Sequence, residues 1–139
     1  MKRSSWLIFS GAFLLDLLSK YLVLQGVVPL EAAKNSGLPF VGKVFPGFFD
    51  LALVLSALLL FAVLYRKFFS RDSDKAFALI LGGAAANIVD RAATGGVTDF
   101  LDIGLGGKFN LADVAIWLGI LFLGYNVIKN KSGTRNTSQ

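Results

Sequence analysis

This sequence predicts an all-α membrane protein with four transmembrane helices and both termini cytoplasmic. Three observations carry that reading. The 139 residues are 55% hydrophobic and only 17% charged, against about 25% charged in a soluble domain. Four windows, residues 6–24, 48–65, 77–93 and 111–128, are apolar and just long enough for the roughly 17–25 residues that a bilayer-crossing helix requires. Nine of the 14 basic residues then fall on one side: Lys2 and Arg3 before the first window, Arg66, Lys67, Arg71 and Lys75 between the second and third, and Lys129, Lys131 and Arg135 after the fourth. The positive-inside rule makes that side cytoplasmic. A helical bundle of this composition in water would lack polar cover.

The first window opens as MKRSSWLIFSGAFLL, a basic start followed by an apolar run, which is how a signal peptide begins. The run continues through Asp16 and Lys20 to Leu24, and no A-x-A site closes it. It is therefore expected to be an uncleaved first span. Asp16 and Lys20 are four apart, hence on one helical face and able to pair. The second window holds Asp50 near its start and carries no further charge until Arg66. The third holds Gly82, Gly83, Ala84, Ala85 and Ala86, and small residues let helix backbones approach closely in lipid. It ends with Asn87, Asp90 and Arg91, then Ala-Ala-Thr-Gly-Gly, a helix terminator. VTDFLDI, residues 97–103, alternates and contains β-branched residues, as a brief extended segment does. Gly104, Gly106 and Gly107 suit a turn, and Asn110 is a good N-cap for the last helix. Residues 1–128 read as one domain, and 129–139 as a polar cytoplasmic tail that lacks large apolar residues and is expected to be disordered.

Chemistry has few carriers here. The chain has no cysteine and no histidine. Thiol nucleophiles, thiolate metal sites, Ser–His triads, HExxH zinc sites and imidazole-held haem are excluded, and no cofactor is expected. The net charge of +5 orients the chain and meets anionic headgroups. Nucleic acid is not an expected partner, since basic–aromatic interleaving is absent.

The ionisable and amide groups of the spans gather at the outer end of the bundle, where Asp16 and Lys20, then Asn87, Asp90 and Arg91, then Asn110 and Asp113 reach one depth from three spans. Each charge in a span costs about 2.5–3.5 kcal/mol, so their convergence points to a site. Asp113 falls in the first turn of the last helix, whose positive end favours a carboxylate. Asp99 comes from the extended segment that folds back onto the same end. Two carboxylates in a partly desolvated place share a proton, and such a pair hydrolyses peptides without histidine, cysteine or metal. Asp102, three residues after Asp99, reads as a solvated loop acid.

The motifs D-x-x-S-K (Asp16, Ser19, Lys20), N-x-G-x-x-F (Asn35, Gly37, Phe40), GGAxxNxxDR (Gly82 to Arg91), VxDF (Val97, Asp99, Phe100) and FNxAD (Phe109, Asn110, Ala112, Asp113) appear in this order over residues 16–113. In them the sequence resembles the bacterial lipoprotein signal peptidases, the type II signal peptidases. The resemblance implies a four-span aspartyl endopeptidase of the bacterial plasma membrane with its site on the extracytoplasmic side. It implies removal of signal peptides from diacylglyceryl-modified prolipoproteins by cleavage before the lipidated cysteine. The catalytic pair carries over onto Asp99 and Asp113. Substrate-binding or dyad-orienting roles carry over onto Asn35, Asn87, Arg91 and Asn110, and structural polar roles onto Asp16, Lys20 and Asp90. Residues 25–47 resemble the family's extracytoplasmic β/loop cradle. The chain departs from the family pattern at Leu38 and Pro39, where a small residue is usual, at Ala86, where glycine is usual, and in a short stretch between the two aspartates. Expected partners are lipid-modified prolipoproteins and membrane lipids, with the chain as a monomer.

Two other readings stand beside this one. A Ser–Lys hydrolase would use Ser19 or Ser36 with Lys20 as base, but Ser19 and Lys20 are adjacent and point about 100° apart on a helix. A non-catalytic small transporter or assembly factor would use the polar cluster for ions or protons. Transporters carry such groups at mid-membrane, whereas the inner halves of these windows are nearly blank.

Overall fold

The structure, a computed structural model, describes residues 2–35, 73–104 and 107–135. The predicted second span, 48–65, and residues 36–47 of the cradle lie outside the described residues. In chain order the described elements are α1 (Arg3–Leu24), β1 (Ala33–Asn35), α2 (Asp74–Thr94), β2 (Val97–Asp99), β3 (Leu101–Asp102), β4 (Lys108–Phe109) and α3 (Leu111–Arg135). The three helices coincide with the first, third and fourth apolar windows.

Among the described helices α2 is the central one and packs against both α1 and α3. Its small residues explain how. A Cβ on Gly82 would lie 2.6 Å from the Phe9 carbonyl oxygen of α1, and one on Gly83 would collide with the Ala112 carbonyl oxygen of α3. Only hydrogen fits at either contact, so the two glycines set how closely both neighbours approach. Farther along, Ala76, Phe77, Ile80 and Leu123 form a buried apolar cluster.

Polarity runs inside out relative to a protein in water. Leu7 and Leu121 are 70% and 67% exposed, while Asp16, Lys20 and Asn110 are 0%, 3% and 0% exposed. Trp6, Leu14, Trp117 and Phe122 also face outward. Hydrocarbon around the helices removes any penalty on those outward side chains and obliges the charges to turn inward and pair. α1 and α2 are each long and apolar enough to cross a membrane, and the apolar part of α3 is the shorter stretch Leu111–Asn126.

Two small sheets cover one end of the bundle. β1 pairs antiparallel with β2, Ala33 opposite Asp99 and Asn35 opposite Val97. β3 pairs antiparallel with β4, Leu101 opposite Phe109 and Asp102 opposite Lys108. α2 ends as its sequence dictates: Gly95 takes φ 75° and its N–H bonds to the Arg91 carbonyl, the left-handed cap that glycine adopts without strain. The end of α3 differs from expectation. The helix runs on to Arg135, so residues 129–135, read as disordered polar tail, are helical. No proline interrupts VIKNKSGTR, and lysine and arginine are good helix formers.

Candidate active site

Each acid is positioned by the end of an element. Asn110 and Asp113 make a reciprocal cap on α3. The Asn110 side-chain oxygen accepts from the Asp113 N–H at 3.0 Å, and Asp113 Oδ2 accepts from the Asn110 N–H at 3.2 Å. This is a capping box with aspartate at its third helical position, and it fixes the Asp113 carboxyl at the head of the helix. The same Asn110 side chain turns its amide donor to Asp99 Oδ1 at 2.6 Å. One fully buried asparagine therefore links the two acids. Asp99 stands at the end of β2, and its other oxygen accepts from Asn35 of β1 at 3.1 Å.

A second chain of contacts closes the circuit behind the acids. Asn87 of α2 donates to Asp113 Oδ1 at 2.9 Å. Its own side-chain oxygen accepts from Lys20 Nζ at 2.7 Å. The ammonium also lies 2.7 Å from Asp16 and 3.2 Å from Asp90. Asp90 in turn accepts from the Thr98 backbone N–H at 2.7 Å, immediately before Asp99. Asp16 reaches across the bundle and accepts from the Ala112 N–H at 2.7 Å, immediately before Asp113. The contacts thus run from Asp99 through Asn110, Asp113, Asn87, Lys20, Asp90 and Thr98 back to Asp99. Both acids are held from two directions, Asp99 by Asn35 of β1 and Asn110 at the head of α3, and Asp113 by Asn87 of α2 and Asn110.

Asp99 and Asp113 line one cavity of about 260 Å³ together with Asn35, Asn87 and Arg91, with Ala84, Ile88, Val97 and Ile116 as its apolar wall. Burial pushes the Asp99 carboxyl above its ordinary value. Donation from Asn35 and from Asn110 pulls it down, and the nearby charge of Asp113 pushes it up. Of two neighbouring carboxyls, the one held above its usual range is the better suited to serve as the acid. Arg91 faces the same cavity, and its buried Nε has no hydrogen-bond partner among the described residues. A buried donor left unpaired costs about 1–3 kcal/mol, so this one suits an acceptor delivered from outside, such as a peptide carbonyl.

All nine residues singled out in the sequence are brought to this end of the bundle. Asn35, Asn87, Arg91, Asp99 and Asp113 line the cavity, and Asn110 bridges the acids from behind. Lys20 pairs with Asp16 as expected, and it also touches Asn87, one bond from Asp113. Thr98 was not singled out. Its role shows only in the fold, because a threonine in an extended segment carries no sequence signal for a helix carboxylate as its partner. Asp102 is exposed, and its Oδ1 accepts from the Gly104 N–H at 2.7 Å, a local turn of the loop. Ser19 donates to the Asp16 backbone carbonyl at 2.8 Å. Lys20 is committed to two carboxylates, an arrangement that gives Ser19 no base. Ser36 lies outside the described residues.

A family model described as signal peptidase (SPase) II matches residues 8–129. The lipoprotein signal peptidase of Actinobacillus succinogenes is 36% identical over 94% of this chain and 95% of its own length. That of Caldicellulosiruptor bescii is 32% identical over 89% of this chain and 90% of its own. A solved bacterial membrane enzyme, determined by the in meso method at 2.3 Å, superposes with a TM-score of 0.71 at 23% identity, covering 94% of this chain and 90% of that one. This likeness shows that the fold is shared.

Proposed function

The chain belongs to the signal peptidase II family, and from that membership and the geometry of the two acids we propose an aspartyl mechanism for signal-peptide removal from prolipoproteins. The substrate is a prolipoprotein bearing diacylglyceryl on its lipobox cysteine, and the bond cut lies just before that cysteine. The observation that carries the mechanism is Asn110, which caps Asp113 and donates to Asp99, so that both acids face one cavity. Asp113 takes a proton from a water between the acids, and the water oxygen attacks the scissile carbonyl carbon. Asp99 gives its proton to the carbonyl oxygen as the tetrahedral diol forms. On collapse the C–N bond breaks, Asp113 returns its proton to the departing amine, and Asp99 recovers one from the diol hydroxyl. Arg91 and Asn35 hold substrate carbonyls, and Asn87 and Asn110 orient Asp113 and Asp99.

In this reading residues 1–128 form one four-span domain of the plasma membrane with both termini cytoplasmic, the site extracytoplasmic and residues 25–47 as its cradle. The chain acts as a monomer. The gathering of polar groups at one end supports an enzyme over a transporter, which places such groups along a path. The test is incubation of the purified protein with a diacylglyceryl-modified precursor and mass measurement of the products. Cleavage on the amino side of the lipidated cysteine is expected. An intact precursor, or a cut elsewhere, contradicts the proposal.

A further inference from the structure

A second cavity opens on the other side of Asp99. It has a volume of about 530 Å³ and is lined by Ala33, Lys34, Asn35, Asp99, Asp102, Gly107 and Lys108. Asn35 and Asp99 line both cavities, so the two meet at the proposed proton-holding acid. Their walls differ in kind. The first has apolar side chains from α2 and α3, whereas the second, among the described residues, has Ala33 as its one apolar lining side chain and is built from β1, Asp99 of β2 and the β3–β4 hairpin.

Its two ammonium groups are held in place. Lys34 lies across Gly96, where an added Cβ would come within 2.9 Å of its Cγ, and its Nζ donates to the Thr94 carbonyl. Lys108 Nζ donates to the Glu31 carbonyl at 2.9 Å and lies 3.4 Å from the Glu31 carboxylate. Two acids stand near them: Asp102, which lines the cavity and accepts from the Gly104 N–H, and Glu31, beside Lys108 with its side chain 95% exposed. The two fixed ammonium groups are the cations that an incoming acidic side chain would meet.

The scissile bond divides its substrate by chemistry. The signal peptide and the acyl chains are apolar and stay in hydrocarbon. The polypeptide after the cysteine is polar and must leave toward water. Of the two cavities at Asp99, the second has the more polar lining among the described residues. Resting on the reading above, we infer that this cavity is a subsite for the first residues following the lipidated cysteine, and that Lys34 and Lys108 make it prefer acidic ones.

The experiment uses two synthetic diacylglyceryl-cysteine precursors, identical except for Asp-Glu or Lys-Lys at the second and third positions after the cysteine. kcat/KM is measured for each with wild type and with Lys34→Gln/Lys108→Gln, at low and high salt. Rim charges are worth little each, so wild type should favour the acidic precursor by about threefold to tenfold, and salt should reduce the ratio. In the double variant the ratio should fall to near one, with both precursors still cut. Equal rates with wild type, or a preference that survives in the variant, overturns the subsite. If wild type cleaves neither precursor, the proposed peptidase activity fails as well.

Discussion

Lys20→Met replaces a buried ammonium by an apolar chain of similar length and asks whether the contacts behind the acids hold the site. The lysine is 3% exposed and lies within 3.2 Å of two carboxylates that are themselves 0% and 6% exposed. Removing one partner of a buried ion pair costs about 3–5 kcal/mol, because the other charge is left uncompensated. Two acids, Asp16 and Asp90, are stranded here. Asn87 loses the contact that fixes which way its amide points. With its oxygen turned to Asp113 it would repel the carboxylate it now supports, and a misplaced catalytic group costs about 10²-fold. Stability is measured by unfolding in mixed micelles at neutral pH, and activity on a lipidated precursor. The expected result is a loss of about 3–5 kcal/mol with kcat down about a hundredfold. Adding Asp16→Asn should restore part of the stability, since it removes one stranded charge. A variant within about 1 kcal/mol of wild type at full kcat refutes the reasoning.

Three further outcomes follow. Gly83→Ala drives a Cβ into the Ala112 carbonyl beside Asp113, and overpacking should cost about 1–3 kcal/mol in the same unfolding assay, with activity falling as the head of α3 shifts. Ser19→Ala removes a hydroxyl bonded to its own helix backbone. Activity within about twofold of wild type is expected, the usual effect of losing one modest hydrogen bond, and loss of cleavage in a folded variant would revive the Ser–Lys chemistry. The raised Asp99 carboxyl fixes the signs of two pH effects. The folded state holds that proton to higher pH than the unfolded chain, so its contribution to stability is present at acid pH and is lost as pH rises from 3.8 through the raised value. Cleavage should also fall on the alkaline side as the pair loses its shared proton, which a kcat profile against pH reads directly.

The sequence spoke most clearly where the chemistry is local. Asn110 as a cap, Gly95 as a helix stop and Asp113 in a first helical turn each follow from residues a few positions apart. The Asp16–Lys20 pair is equally local. What could not be read was where those side chains go next. The bond from Asp16 to the Ala112 N–H spans 96 positions, and that from Lys20 to Asn87 spans 67. Both depend on the axial register of one helix against another, set by contacts such as Gly82 on Phe9 and Gly83 on Ala112. A hydrophobic pattern marks where helices lie but not how far they slide. For that reason Lys20 read as a structural partner of Asp16 alone, and Thr98 went unnoticed. The end of α3 was missed for another reason: polarity marked where the apolar span ends, and the helical hydrogen bonds continue past it.

The most direct test is the rate of lipoprotein-precursor cleavage by Asp99→Asn and Asp113→Asn, each in protein shown to be folded in membranes. The two acids acting as one unit require that either change abolish cleavage while leaving insertion and folding intact. Cleavage by either variant at close to the wild-type rate would show that the bond is broken by some other group.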